Sequence, residues 1–174
     1  MSILSGDKIK LSHSVGKIVI TPYDDSRVGP NSYDVRLGDT LVIYKNKVLD
    51  ARNQNFTESF RIPPEGYLLV PGKLYLGNTL EYTETHAHVP ILEGRSSVGR
   101  LGINIHATAG FGDVGFCGTW TLEISVIQPV RIYAGMEIGQ IFYHTLDGDG
   151  GSRYNGKYQN QTLPEPSLLH REFK

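Results

Sequence analysis

Short bursts of strand-forming residues, broken at close intervals by glycine or proline, run through the chain. Val35-Arg36-Leu37, Thr40-Leu41-Val42-Ile43-Tyr44, Gly66-Tyr67-Leu68-Leu69-Val70, Leu74-Tyr75-Leu76 and Trp120 to Val126 each read as a strand. Pro71-Gly72, Ala134-Gly135 and the stretch Asp147-Gly148-Asp149-Gly150-Gly151 read as turns or loops. Helical periodicity is scarce. Ser5 to Val15 offers one helix, capped by Ser5 or Asp7, with Ile9, Leu11 and Val15 toward a core. Ser96 to Leu101 offers a second, shorter one. Many short strands with little helix predict a mainly β barrel or sandwich.

At 174 residues, the chain has the length of one domain and enough apolar content, 39%, for a single core. No apolar run approaches the roughly 18 residues of a membrane span, and the first residues lack an apolar signal core. A cytoplasmic location, with no membrane partner, is the expectation. Cys117 is the only cysteine, which excludes an internal disulfide and a thiolate zinc cage within one chain. A formal charge of -1 without a basic block argues against nucleic-acid binding and leaves room for a small phosphorylated ligand.

The densest candidate chemistry is Glu93-Gly94-Arg95-Ser96-Ser97-Val98-Gly99-Arg100. Glycines admit close backbone approach to an oxyanion, serines donate hydrogen bonds, and guanidinium forks grip phosphate oxygens. Taken alone, the segment is equally a solvated turn with charged flanks. Further on, alternation places Thr121, Glu123 and Ser125 on one strand face and Trp120, Leu122 and Ile124 on the other. A glutamate in such a strand is paired, at an edge or catalytic, because an unpaired buried carboxylate is costly. The strand pattern by itself favours an ion pair.

The order of motifs changes that reading. Pro30 to Gly38, Gly94 to Gly102, His106-Ala107-Thr108-Ala109-Gly110, Asp113 to Phe116, Thr121-Leu122-Glu123, Gly135 to Gln140 and Lys157-Tyr158-Gln159-Asn160-Gln161 together closely resemble the dCTP deaminases of the trimeric dUTPase-like superfamily. The resemblance covers nearly the whole chain. It implies a distorted β-barrel, jelly-roll-like sandwich with short helices, forming a homotrimer with sites between subunits. Residues 1–174 would form one domain, with 147–174 an arm closing over the nucleotide.

By the same resemblance, Glu123 is the catalytic acid–base, and Ser96 and Arg100 order it and its water. Arg95, Ser96 and Ser97 hold the triphosphate, and Asp113 meets the deoxyribose. Thr121, His106, Thr108 and Ala109 lie about the base, while Tyr154, Lys157 and Gln161 close over the phosphates. Magnesium accompanies the triphosphate, and dTTP is a candidate inhibitor. The sequence departs from the family pattern at Gly112-Asp113-Val114, where relatives carry an aliphatic residue before the aspartate and proline after it.

Attack of water on cytosine C4 requires protonation at N3 and then of the departing ammonia, which one carboxylate can manage. Zinc deaminases instead carry His-x-Glu and Pro-Cys-x-x-Cys, absent from this sequence. Ala107-Thr108-Ala109-Gly110-Phe111 resembles the dUMP-forming group, which hydrolyses dUTP further, whereas deaminase-only bacterial enzymes carry His-Arg after Thr-Ala. Two alternatives remain. One is a dUTP pyrophosphatase without deaminase activity, although that group lacks the Thr-Leu-Glu carboxylate. The other is a cupin-like metal-binding barrel using His86, His88 and Glu93.

Overall fold

The computed structural model describes residues 2–148 and 151–173, so Asp149 and Gly150 of the glycine-rich loop lie outside the described residues. The chain opens with helix α1 (Gly6–Ser14), followed by β1 (Ile18–Thr21), β2 (Tyr33–Arg36), β3 (Thr40–Tyr44) and β4 (Thr57–Arg61). Next come β5 (Tyr67–Leu69), β6 (Tyr75–Asn78), β7 (Tyr82–Thr85) and β8 (His88–Gly94). A single helical turn, α2 (Ser96–Gly99), precedes β9 (Ile103–Asn104), β10 (Cys117–Gly118) and β11 (Thr121–Val126). Strands β12 (Val130–Ile132) and β13 (Glu137–Thr145) complete the body.

The expected strand at 40–44 forms over those residues, and the one at 120–126 starts a single residue later. Ser5 caps α1 as expected, its hydroxyl accepting the Lys8 N–H at 3.4 Å. The helix face differs from expectation. Gly6, Ile9 and Ser12 point inward, while Leu11 and Val15 are exposed. Residues two apart on a helix lie about 200° apart, so Leu11 cannot share the Ile9 face. Gly6 belongs to the inner face because a Cβ there would stand 2.3 Å from the Gly29 carbonyl oxygen.

All strand pairings are antiparallel among the described residues, in the orders β4-β3-β6-β11-β9, β2-β13-β8, β1-β7-β10 and β12-β5. One hydrophobic cluster takes side chains from all four sheets, among them Ile18, Val35, Leu41, Leu69, Leu92, Leu122, Ile132 and Ile141. The sheets therefore wrap a common core, the mainly β architecture that the strand pattern predicts. Arg36 on β2 closes one seam. Its Nε and backbone N–H donate to the Glu81 carboxylate at 2.6 and 2.7 Å, and Glu81 is fully buried. The sheet β4-β3-β6-β11-β9 carries the candidate site on the face turned away from that core. Register places Val42 and Glu123 opposite Leu76, and Asn104 opposite Ser125.

Candidate active site

Strand β11 sorts its side chains as the alternation predicts. Leu122 and Ile124 are fully buried, and Thr121, Glu123 and Ser125 face a cavity of about 830 Å³. Tyr44 from β3, Leu76 from β6 and Asn104 from β9 share the floor. The segment from His106 to Phe116 forms one wall, and Tyr154, Tyr158, Gln161, Glu165 and Ser167 form the other. A cavity of this size holds a small organic ligand.

The Glu123 N–H donates to the Ile105 carbonyl at 2.7 Å, which fixes the strand on the wall side. Its carboxylate, half-buried, has no hydrogen-bond or ion-pair partner among the described residues. The ion pair favoured by the strand pattern is therefore not there. His106 reaches the Leu92 carbonyl with Nε2 at 2.9 Å and the Glu93 carboxylate at 3.7 Å. A carbonyl only accepts, so Nε2 donates there, and the buried Nδ1 has no partner among the described residues. Gly110 makes the arrangement possible, since a Cβ there would lie 2.4 Å from the Leu92 oxygen and 2.7 Å from His106 Nε2.

Trp120, Phe116 and Tyr154 make an aromatic wall, with edge-on contacts at centroid distances of 5.4 and 5.8 Å. The Trp120 indole N–H donates to Thr83 Oγ1 at 3.0 Å, locking the ring. This ring explains the departure at Gly112. A Cβ on residue 112 would sit 2.3 Å from Trp120 Cη2 and 2.9 Å from Pro90 Cγ, so no aliphatic side chain fits before Asp113. Val114, in place of proline, is buried, and Asp113 is exposed at the cavity edge.

The arm is tied to the body by backbone bonds. Asn160 N–H donates to Cys117 O at 2.7 Å and Thr119 N–H to Gln161 O at 2.9 Å. Gln161 donates its amide to the Thr119 carbonyl at 2.7 Å, and its buried Oε1 has no partner among the described residues. Glu165 N–H bonds Thr121 Oγ1 at 3.0 Å, and Ser167 N–H bonds the Tyr44 hydroxyl at 2.9 Å. Cys117 is half-buried beside these contacts, and burial first, then the Glu84 charge, pushes its thiol up.

Of the site residues expected from sequence, His106, Ala109, Asp113, Thr121, Glu123, Tyr154 and Gln161 line this one cavity. Arg95, Ser96, Ser97, Arg100, Thr108 and Lys157 do not line it. Ser96, Ser97 and Arg100 are exposed on or beside α2. Arg95 instead pairs with Asp34 at 3.3 Å and with Glu137. Lys157 pairs with Glu172 of the C-terminal turn Leu169–Glu172. The cupin-like trio scatters: His86 bonds Glu84 at 2.7 Å, His88 bonds Ser12 at 3.2 Å, and Glu93 faces His106. No group of three or more metal-ligating side chains assembles among the described residues. Tyr44, Leu76, Asn104, Phe116, Trp120, Tyr158 and Glu165 were not singled out as site residues; strand pairing and the arm bring them in.

A family model described as dCTP deaminase-like matches residues 3–146. The chain belongs to the dCTP deaminase-like family. It is 56% identical over 173 residues to a Cytophaga hutchinsonii protein named dCTP deaminase, dUMP-forming, covering 99% of both chains. A Clostridium acetobutylicum protein of the same name is 55% identical over 172 residues, covering 98% of each. A crystal structure of 2'-deoxycytidine 5'-triphosphate deaminase from Agrobacterium tumefaciens shares the fold, with a TM-score of 0.64 and 20% identity. That likeness covers 82% of this chain and 48% of the other. The mainly β body and the family membership thus agree with the motif order. No helix among the described residues is long and apolar enough to cross a membrane.

Proposed function

We propose that the protein hydrolyses dCTP to dUTP and ammonia, then dUTP to dUMP and pyrophosphate. The unpaired carboxylate of Glu123, facing a nucleotide-sized cavity beside polar and aromatic walls, carries the reading. The name shared by relatives more than half identical to this chain supports the two-step outcome. In the first step, Glu123 takes a proton from water as the oxygen attacks cytosine C4, and delivers one to N3. Glu123 then takes the proton of the new C4 hydroxyl and delivers it to the amino nitrogen, so that ammonia leaves as the C4–N bond breaks and the C4 carbonyl forms. In the second step, water adds at the α-phosphorus and pyrophosphate leaves with the bond electrons. The chemistry needs no zinc, because a carboxylate with variable protonation performs each transfer.

The remaining roles are those the family resemblance implies, with the cavity lining in support for Asp113, His106, Ala109, Thr121, Tyr154 and Gln161. Asp113, at the cavity edge, accepts from the deoxyribose hydroxyl. His106, Ala109, with Thr108 beside it, and Thr121 surround the base. Tyr154, Lys157 and Gln161 on the arm meet the phosphates. Arg95, Ser96, Ser97 and Arg100 do not line the cavity of their own chain, so a neighbouring copy in a homotrimer supplies them. Magnesium enters as the triphosphate's counter-ion, ligated by phosphate oxygens and water. dTTP shares the triphosphate and deoxyribose and is proposed as an inhibitor, and the cytoplasm as the compartment.

The test is an incubation of the purified protein with dCTP and magnesium, with nucleotides separated and ammonia assayed. Ammonia, dUMP and pyrophosphate in equal amounts are expected. Accumulating dUTP would remove the second step, and no ammonia from dCTP would overturn the reading as a whole.

A further inference from the structure

The C-terminal turn holds the arm's lysine with a carboxylate. Lys157 Nζ is hydrogen-bonded to Glu172, and lies 5.6 Å from the centroid of the Tyr158 ring. The Lys157 side chain is 26% exposed and that of Glu172 60% exposed, so the pair sits at the surface of the arm, open to a competing anion. The turn does not hang loose. Leu168 is buried and its N–H donates to the Tyr158 hydroxyl at 3.1 Å. Arg52 stacks over Phe173 at 5.5 Å, immediately beyond Glu172. Glu172 is thus presented to Lys157 by a segment anchored on both sides.

We infer that Glu172 is an internal counter-anion that substrate phosphates must displace from Lys157. This rests on the proposal that Lys157 meets the triphosphate. An ammonium has three donors, but a carboxylate and a phosphate crowding the same nitrogen repel each other. Nucleotides whose phosphates reach Lys157 therefore bind against this competitor, and those without phosphates do not. The contact taxes one class of ligand only, which separates it from a lid that covers the cavity against all. It also resets the site. When pyrophosphate departs, Lys157 loses its phosphate partner and the carboxylate returns, opposing rebinding of that product.

The experiment compares the full-length protein with Glu172→Gln, measuring KM and kcat for dCTP and competitive inhibition by inorganic tripolyphosphate and by deoxycytidine. Removing the charge should lower the dCTP KM and the tripolyphosphate inhibition constant about two- to five-fold, the range an exposed ion pair supplies. Inhibition by deoxycytidine and kcat should stay as they are. In the Lys157→Gln background, Glu172→Gln should have no further effect. Glu172→Ala in the full-length chain should repeat the result and guards against an effect peculiar to the glutamine variant. Equal gains for deoxycytidine and tripolyphosphate would replace the counter-anion with a general lid. An unchanged or raised KM in Glu172→Gln, with Lys157→Gln raising it, overturns the inference alone. If Lys157→Gln leaves the dCTP KM unchanged, the phosphate role of Lys157 fails as well.

Discussion

Nothing among the described residues occupies the oxygens of the Glu123 carboxylate, which stands open to the cavity. A paired carboxylate, such as the buried Glu81 with Arg36, has its oxygens occupied by donors and is not open to a water molecule. Replacing Glu123 by Gln keeps shape and hydrogen-bonding while removing the titratable group. Deamination should fall by about 10²–10⁴-fold, the scale of a lost acid–base group, with dCTP affinity retained by calorimetry. Retained turnover would take Glu123 out of its role. The position of this residue was legible because strand alternation is strict: once Leu122 and Ile124 enter the core, Glu123 must face outward. The partnerless state of its carboxylate was not legible, since that depends on which charges distant strands bring near. The same holds for Gly112. Its reason is the Trp120 ring, which sequence places eight residues away and folding places within contact.

Elements bring these residues together by pairing, and pairing is where the sequence says least. Strand β6 lies between β3 and β11, so Tyr44, Leu76 and Glu123 share a floor although the chain separates them widely. Aromatic residues such as Tyr67 and Tyr75 pack against one another as their strand spacing suggests. Yet Tyr44, equally strand-like in sequence, sends its hydroxyl to the arm at Ser167. Helix α1 shows the opposite failing, where periodicity was available: Ser12 turns inward to bond His88, and Leu11 faces out. The seam between β2 and the turn at Glu81 yields a prediction at this scale. Arg36→Ala leaves a fully buried carboxylate without its guanidinium, and removal of one partner from a buried pair costs about 3–5 kcal/mol. The urea midpoint should drop accordingly. A variant that also carries Glu81→Gln should recover part of the loss, because the stranded charge is gone; no difference between the two would mean that the pair carries little of the seam.

Seen as a whole molecule, the site residues fall into two groups that one chain does not unite. Glu123, His106, Asp113, Thr121, Tyr154 and Gln161 surround one cavity, while Ser96, Ser97 and Arg100 stand exposed around α2. The motif order, through the resemblance it carries, implies sites between subunits, but not which residues fall on which side, because motifs adjacent along a chain carry no information about which copy they serve. In the homotrimer proposed above, each subunit would offer its α2 to the next and receive one in return, so each site would need two chains. Subunit complementation tests this directly. Glu123→Gln and Arg100→Ala should each be nearly inactive alone. Co-expressed with distinct tags and isolated as mixed trimers, they should regain activity wherever an Arg100→Ala subunit, which keeps Glu123, receives α2 from a Glu123→Gln subunit. A ring of three that contains both subunit types makes that pairing at one of its three junctions, so roughly a third of wild-type turnover is expected. Restored activity requires that Glu123 and Arg100 act from different chains, since no single chain in the mixture carries both. Activity no greater than the sum of the two parents would place both residues in one chain, and α2 would then have to reach its own cavity by a rearrangement of the wall beside Asn104.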